Sequence, residues 1–500
     1  MSEQPTPPGS DIAQRESHRL RRGTLGVLGV AFFVVSAAAP LTAMAGGAPV
    51  AMLLGNGPGI PAAYVVVSLI LIIFSVGYTA MARHHTSTGA FYSYVARGLQ
   101  QPAGGAAAII ALLGYNAMQI GLYGLFGAAA SGFFADVLGL NVPWWVFVLV
   151  AMAIIGVCGY RQVDLSAKIL AVLVSLEFLI VLVLDVAILI KGGGGGGGPI
   201  TATPLTPSSF LGGSIAIALL FNFASFIGFE ATTIYSEEAK DPKRTVPRAT
   251  FLAVLTIGFF YTITTWLMVE AQGAAGLQEH LAGLKPDPTA FLFELGATYI
   301  GGTLTTVMSL LFISSVFAAL LAFHNAVARY LFALGREGLV PAALGRTHRV
   351  HLSPHVGSLS QTALALVIVL LFVITGQDPV LALFTWLTQL GTLAIIVLMA
   401  VASFAVVAFF AANRGLDNNP LRTTVAPIVG GLAMTAVAIY AASQFGLLIG
   451  NPESPLRWAL PGLIAVAAAA GAAAALALRS RSPQLYAQMG RHRDMSLTPE

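Results

Sequence analysis

Residues 221–249 read FNFASFIGFEATTIYSEEAKDPKRTVPRA, from Phe221 to Ala249. The first ten are apolar enough for a bilayer, yet they carry one acid, Glu230, just after Phe226-Ile227-Gly228-Phe229. The rest turns abruptly charged, with Glu237, Glu238, Lys240, Asp241, Lys243, Arg244 and Arg248. This is a membrane helix with a polar flaw emerging into water. A glycine beside an acid in mid-membrane is disfavoured by helix and bilayer alike, and an ionisable residue inside a span points to function.

The rest of the chain is built to the same rule. Of its 500 residues, 57% are hydrophobic and only 9% charged, against about 25% charged in soluble domains. A spanning helix needs about 20 apolar residues. The apolar runs are continuous rather than alternating, so the chain reads as an all-α polytopic membrane protein and not a barrel. Twelve spans fit, at about 23–54, 60–81, 104–134, 142–160, 167–190, 209–235, 250–271, 303–334, 356–375, 380–411, 426–448 and 456–478. Residues 1–22 read as a disordered N-terminus with no cleavable signal, 191–208 as a Gly-rich linker and 479–500 as a soluble tail. The linker holds seven glycines, Gly192 to Gly198, expected to act as a flexible tether. No Lys-Ser/Thr follows them, so they are no phosphate loop. With both termini cytoplasmic, the outer side carries only Lys191, Lys285 and Arg457 of the 25 Lys and Arg, and the other 22 stay inside or at its edge, as the positive-inside rule requires. A net charge of +4, scattered over loops, gives no nucleic-acid partner. The single cysteine, Cys158, excludes an internal disulfide framework.

Two spans are interrupted. Span 1 breaks at Ser36-Ala37-Ala38-Ala39-Pro40 and is expected to break again at Gly46-Gly47-Ala48-Pro49; span 6 breaks at Gly228. Matched flawed helices in two halves mark the binding site of an inverted-repeat transporter. A break frees N–H groups on one side and carbonyls on the other, and a zwitterion answers both. The expected donors run from Ala39 to Ala43 (Ala39, Leu41, Thr42, Ala43) and the acceptors from Phe223 through Ala224, Ser225 and Phe226 to Ile227, beside Gly228. Tyr115, Asn116 and Gln119 of span 3 and Thr385 and Trp386 of span 10 are expected to complete the pocket, with Phe223 and Phe226 as gates. Glu230 is expected to brace the span 6 break, and Glu177 of span 5 to relay protons.

The chain resembles the amino acid–polyamine–organocation (APC) superfamily, bacterial amino acid permeases in particular. The resemblance rests on Phe226 to Glu230 followed by Glu237-Glu238-Ala239-Lys240-Asp241-Pro242, on Thr88-Gly89-Ala90-Phe91-Tyr92-Ser93-Tyr94, on the run from Arg329 to Pro341 and on Ser353-Pro354-His355. It departs at the span 1 break, where members often carry Gly-x-Gly-Ile-Phe and this chain has Ser36 to Ala43, with Pro40 lacking an N–H. The resemblance implies a LeuT-type 5+5 inverted repeat, residues 23–190 against 209–411, with two further helices over 412–478. It implies a secondary transporter of the plasma membrane, moving an amino acid by proton-coupled symport or exchange. Lys168 resembles the span 5 lysine that replaces a sodium ion in sodium-independent members; Ser314 and Ser315 of span 8 could instead ligate sodium. The expected partners are a small-molecule substrate, protons and the lipid bilayer, with no cofactor and no metal. A polyamine or other amine permease is the alternative within the class; a channel or membrane sensor would need a repeated pore motif or a signalling domain, and neither is visible. An enzyme would need a nucleophile with its base, a metal cluster or a phosphate loop.

Overall fold

The computed structural model describes residues 26–84, 90–161, 167–230, 232, 239–351 and 353–490. The expected disorder of residues 1–22 falls outside them, as do Thr88, Gly89, Glu237, Glu238 and the last ten residues; so does the side chain of Lys168. Among the described residues the extended elements are all helices, and the sole β pairing is a bridge between Gly193 and Gly198.

In chain order the main helices are α1 (Val27–Ala37), α2 (Ala48–Leu54), α3 (Ile60–Ala82), α4 (Ala90–Leu138), α5 (Trp144–Arg161), α6 (Ala167–Lys191), α7 (Ile215–Ala224) and α8 (Pro242–Gln272). They continue with α9 (Leu277–Gly283), α10 (Ala290–Tyr299), α11 (Gly302–Arg336), α12 (His355–Ile374), α13 (Thr385–Ala412), α14 (Ala426–Ser443) and α15 (Leu456–Arg481). Ten of these are long and apolar enough to cross a membrane: α3 to α6, α8 and α11 to α15. The chain is therefore an all-α, multi-pass membrane protein. Of the five that fall short, α1, α2 and α7 come from the two spans expected to break, while α9 and α10 lie in the connection between α8 and α11.

Helix α4 runs along α13 and α15, while α8 lies along α3 and α1, and α2 packs against α7. The α4–α13 seam is close: a Cβ on Gly98 would sit 2.1 Å from the Ala405 carbonyl oxygen. Small residues let two membrane helices approach to backbone contact.

Several local expectations need correcting. Gly46 to Pro49 is no second break: a π-turn over Thr42–Gly47 passes straight into α2, and Pro49, which has no N–H to give, follows that wider turn. The glycine run is not a slack tether. Gly194 and Gly195 donate to the carbonyls of Glu270 (2.9 Å) and Ala271 (2.8 Å), and Gly197 donates to Lys191. Five of the seven have positive φ: Gly192, Gly194, Gly195, Gly196 and Gly197. Backbone that only glycine reaches readily closes the loop onto the end of α8. Its neighbour Thr201 gives its N–H and hydroxyl to Glu270 at 2.6 and 3.0 Å. The tail is not wholly loose either: Pro483–Gln488 is helical and Met489 is buried.

Candidate functional site: two broken helices around a cavity

Helix α1 ends at Ala37, and the turn that follows is sharp enough to put Ala39 at φ +45°. Its polar groups are met by side chains from three other helices. Tyr261 of α8 donates to the Ala38 carbonyl at 3.1 Å. Leu41 N–H donates to Glu177 Oε2 of α6 at 3.3 Å, and Ser315 of α11 donates to the same oxygen at 2.7 Å. Ser315 has spent its hydrogen there, so Thr42, 2.9 Å away, must be the donor in their contact. Glu177 is 2% exposed: a carboxylate buried at the N-terminal end of a half-helix, where anions are favoured. The result bears on the donors expected from Ala39 to Ala43. Pro40 has none, Leu41 serves Glu177, and Ala43 N–H returns to the Ala39 carbonyl.

Helix α7 begins on Ser214, whose hydroxyl accepts from Ile217 N–H, and ends at Ala224. The chain then turns through Ser225 to Glu230, with Gly228 at φ +114°. Glu230 takes part in three hydrogen bonds at the turn. Its Oε2 accepts from Gly228 N–H at 2.8 Å, its Oε1 from Tyr115 at 2.9 Å, and its backbone carbonyl from Tyr78 at 3.2 Å. Of the expected acceptors, Phe223, Ala224 and Phe226 already receive turn bonds from Phe226, Ile227 and Phe229.

A narrow cavity of about 60 Å³ lies between the breaks, smaller than the roughly 300–1,000 Å³ of an open small-molecule site. Span 1 contributes Ala38, Ala39, Thr42, Ala43 and Gly47; span 6 contributes Phe221, Ala224, Ser225 and Ile227. Met118 and Leu122 of α4 and Ala319 and Phe323 of α11 form the opposite wall, with Phe384, Thr388 and Gln389 on span 10. No charged side chain is among the lining residues.

Six of the expected binding residues therefore line the cavity: Ala39, Thr42, Ala43, Ala224, Ser225 and Ile227. The others do not. Leu41 faces Glu177. Phe223 and Phe226 are buried in the core, Phe226 against Tyr64 and Tyr261, so the aromatics at the cavity are Phe221, Phe323 and Phe384 instead. Asn116 donates to its own helix at Leu112 O, and Trp386 donates to Leu448 O. Gln119 bonds His324 and Gln361, and His324 bonds Ser358, in a buried network joining α4, α11 and α12. Gly228 shapes the turn without lining the cavity, and Tyr115 serves Glu230. Thr388 and Gln389 were missed: polar letters within an apolar helix leave their facing to tertiary packing.

A family model described as amino acid permease matches residues 25–481. The chain is 24% identical over 317 residues to the low-affinity putrescine importer PlaP of Escherichia coli (strain K12), covering 61% of this chain and 66% of that protein. It is 24% identical over 356 residues to the branched-chain amino acid permease BcaP of Bacillus subtilis (strain 168), covering 67% and 70%. It is 26% identical over 314 residues to the L-asparagine permease of Escherichia coli (strain K12), covering 61% and 60%. The matches thus span just under two thirds of the length of the first and third of these relatives.

Proposed function

The chain belongs to the amino acid permease family, and from that premise we propose that it is a secondary transporter carrying an uncharged amino acid across the plasma membrane by alternating access. The observation that carries the substrate class is the cavity at the two breaks, which no charged side chain lines among the described residues. A cationic or anionic side chain would lie there without a counter-charge, at high cost in a dry site. The ten long helices and the two broken spans, α1 with α2 and α7 with the turn after it, make twelve spans. We read residues 23–190 and 209–411 as the two halves of a LeuT-type 5+5 repeat, 191–208 as their linker and 412–478 as two added helices. Both termini are cytoplasmic on this reading.

Coupling is assigned to Glu177. Its carboxylate holds the Leu41 N–H and the Ser315 hydroxyl, so it ties the span 1 break to α6 and α11. Taking up a proton removes an acceptor charge from that joint and loosens it, which links proton entry to movement of the half-helix. Lys168 starts the same helix nine residues earlier, about 13 Å along the axis, and is the second coupling candidate. Glu230 steadies the other break and does not face the substrate.

An amine permease is the second reading, and one observation favours it. Pro40, Leu41 and Ala43 offer few free N–H groups to a substrate carboxylate, and a relative imports putrescine. Proteoliposome uptake separates the two. Labelled neutral amino acids and putrescine are offered under an imposed pH gradient or an imposed sodium gradient. Proton-driven uptake of a neutral amino acid, abolished in Glu177→Gln while exchange persists, is expected. Uptake of putrescine alone would replace the substrate assignment, and sodium-driven uptake would move coupling to Ser314 and Ser315.

A further inference from the structure

Among the described residues, the cavity wall contains one side-chain polar atom that nothing around it satisfies. Gln389 of α13 is fully buried, and it lines the cavity. Thr388 Oγ1 gives its hydrogen to the Phe384 carbonyl at 2.7 Å, so towards Gln389 it can only accept. The Gln389 atom 3.2 Å from that hydroxyl must therefore be Nε2, the donor. This orients the amide and turns Oε1 the other way, where it meets no hydrogen-bond donor among the described residues. The other hydroxyls lining the cavity cannot supply one. Thr42 donates to Ser315, and Ser225 donates to the Phe221 carbonyl while accepting from Tyr64. Buried carbonyl oxygens are rarely left unpaired.

We propose that Gln389 Oε1 is the specificity determinant of the cavity and accepts a hydrogen bond from the substrate's side chain, an amide N–H or a hydroxyl. The proposal rests on the transport reading above. The substrate's ammonium would be met at the break after α7, at the negative end of that helix's dipole. Gln389 stands on a third, unbroken helix and reads what the breaks do not. A second cation against it would lack a counter-charge, since no acid lines the cavity among the described residues. An apolar side chain would leave Oε1 buried and unpaired, and sites built to hydrogen-bond a substrate group reject analogues that lack it. The favoured class is thus small uncharged amino acids with a side-chain donor.

The test compares shape-matched pairs in proteoliposomes of the full chain: L-asparagine against L-leucine, and L-threonine against L-valine. Initial uptake rates are expressed as a ratio within each protein. The wild type should prefer the donor-bearing member of each pair by about tenfold or more. In Gln389→Met, close in length but without the acceptor, both ratios should fall towards one. Reading a ratio makes the result independent of how much protein inserts, and if Gln389→Met does not fold, the wild-type ratios decide alone. Equal entry of both members of each pair, or ratios unchanged in Gln389→Met, overturns the role of Gln389 and leaves the transport reading standing. If none of the four enters wild-type liposomes, the transport reading fails and this inference with it.

Discussion

Replacing Glu177 by leucine removes the acceptor at the joint between α6, α11 and the span 1 break. Two buried donors lose their partner, the Leu41 N–H and the Ser315 hydroxyl. Each unsatisfied buried donor costs about 1–3 kcal/mol, so the loss sums to about 2–6 kcal/mol. Against it stands the relief of no longer burying a carboxylate that has no cation beside it among the described contacts, a term of several kcal/mol in the opposite direction. Ser315 can also turn its hydroxyl to Thr42, which lowers the loss further. The relief offsets most of the loss, so the expected net is a destabilisation of at most about 2 kcal/mol for Glu177→Leu. Glu177→Gln keeps an oxygen in the same place and should cost under about 1 kcal/mol. The assay is the thermal denaturation midpoint of the purified protein in detergent, across the three proteins at one pH. If Glu177→Leu is more stable than wild type, relief of the buried charge outweighs both hydrogen bonds and the carboxylate does not hold the break. If Glu177→Gln is as damaging as Glu177→Leu, charge rather than hydrogen bonding is what the joint requires.

Other outcomes follow from single positions. Gly228 sits at φ +114° and gives its N–H to Glu230, so Gly228→Ala should cost about 1–3 kcal/mol of backbone strain and reduce uptake; an unaffected melting midpoint would remove the turn from the account. Gly98→Ala drives a methyl into the Ala405 carbonyl at the α4–α13 seam and should destabilise by about 1–3 kcal/mol, read by the same melt. Burial lifts the Glu337 carboxyl above the ordinary glutamate range, against the opposing hydrogen bonds from Tyr92 and the Gly490 backbone. The folded protein then holds that proton more tightly than the unfolded chain, so stability should fall as pH rises from about 4.3 through the raised value and then level off. Glu337→Gln should flatten that part of the melting-versus-pH curve, and an unchanged slope would assign it elsewhere.

The spans were legible because a bilayer demands long apolar runs, and the two breaks because glycine, proline and a lone acid are so out of place there. The role of Glu230 could be read the same way: an acid two residues from a flexible glycine has freed amides within reach. Span 10 was harder. Trp386 and Gln389 lie three residues apart on one helix, but Trp386 reaches the Leu448 carbonyl while Gln389 lines the cavity. An apolar helix surrounded by other apolar helices carries little one-sided pattern, so its sequence does not announce which face meets a void. Asn116 and Gln119 misled for the opposite reason. They are polar and at the right depth, but their partners, Leu112 O for one and His324 and Gln361 for the other, are internal.

The glycine run after α6 bears on which parts of the molecule can travel separately. Seven glycines in a row are the segment of chain with the most freedom to lose, yet here they are knotted by hydrogen bonds onto Glu270 and Ala271, while Lys191 reaches the Tyr299 carbonyl and Tyr299 reaches back to Gly192. The connector behaves as a strut. Any tilt of α6 at this end is handed directly to the end of α8, with no slack to absorb it. α6 carries Glu177 and α8 carries Tyr261, the two side chains that grip opposite sides of the span 1 break. The strut thus ties those two grips to one another through the ends of the helices that carry them.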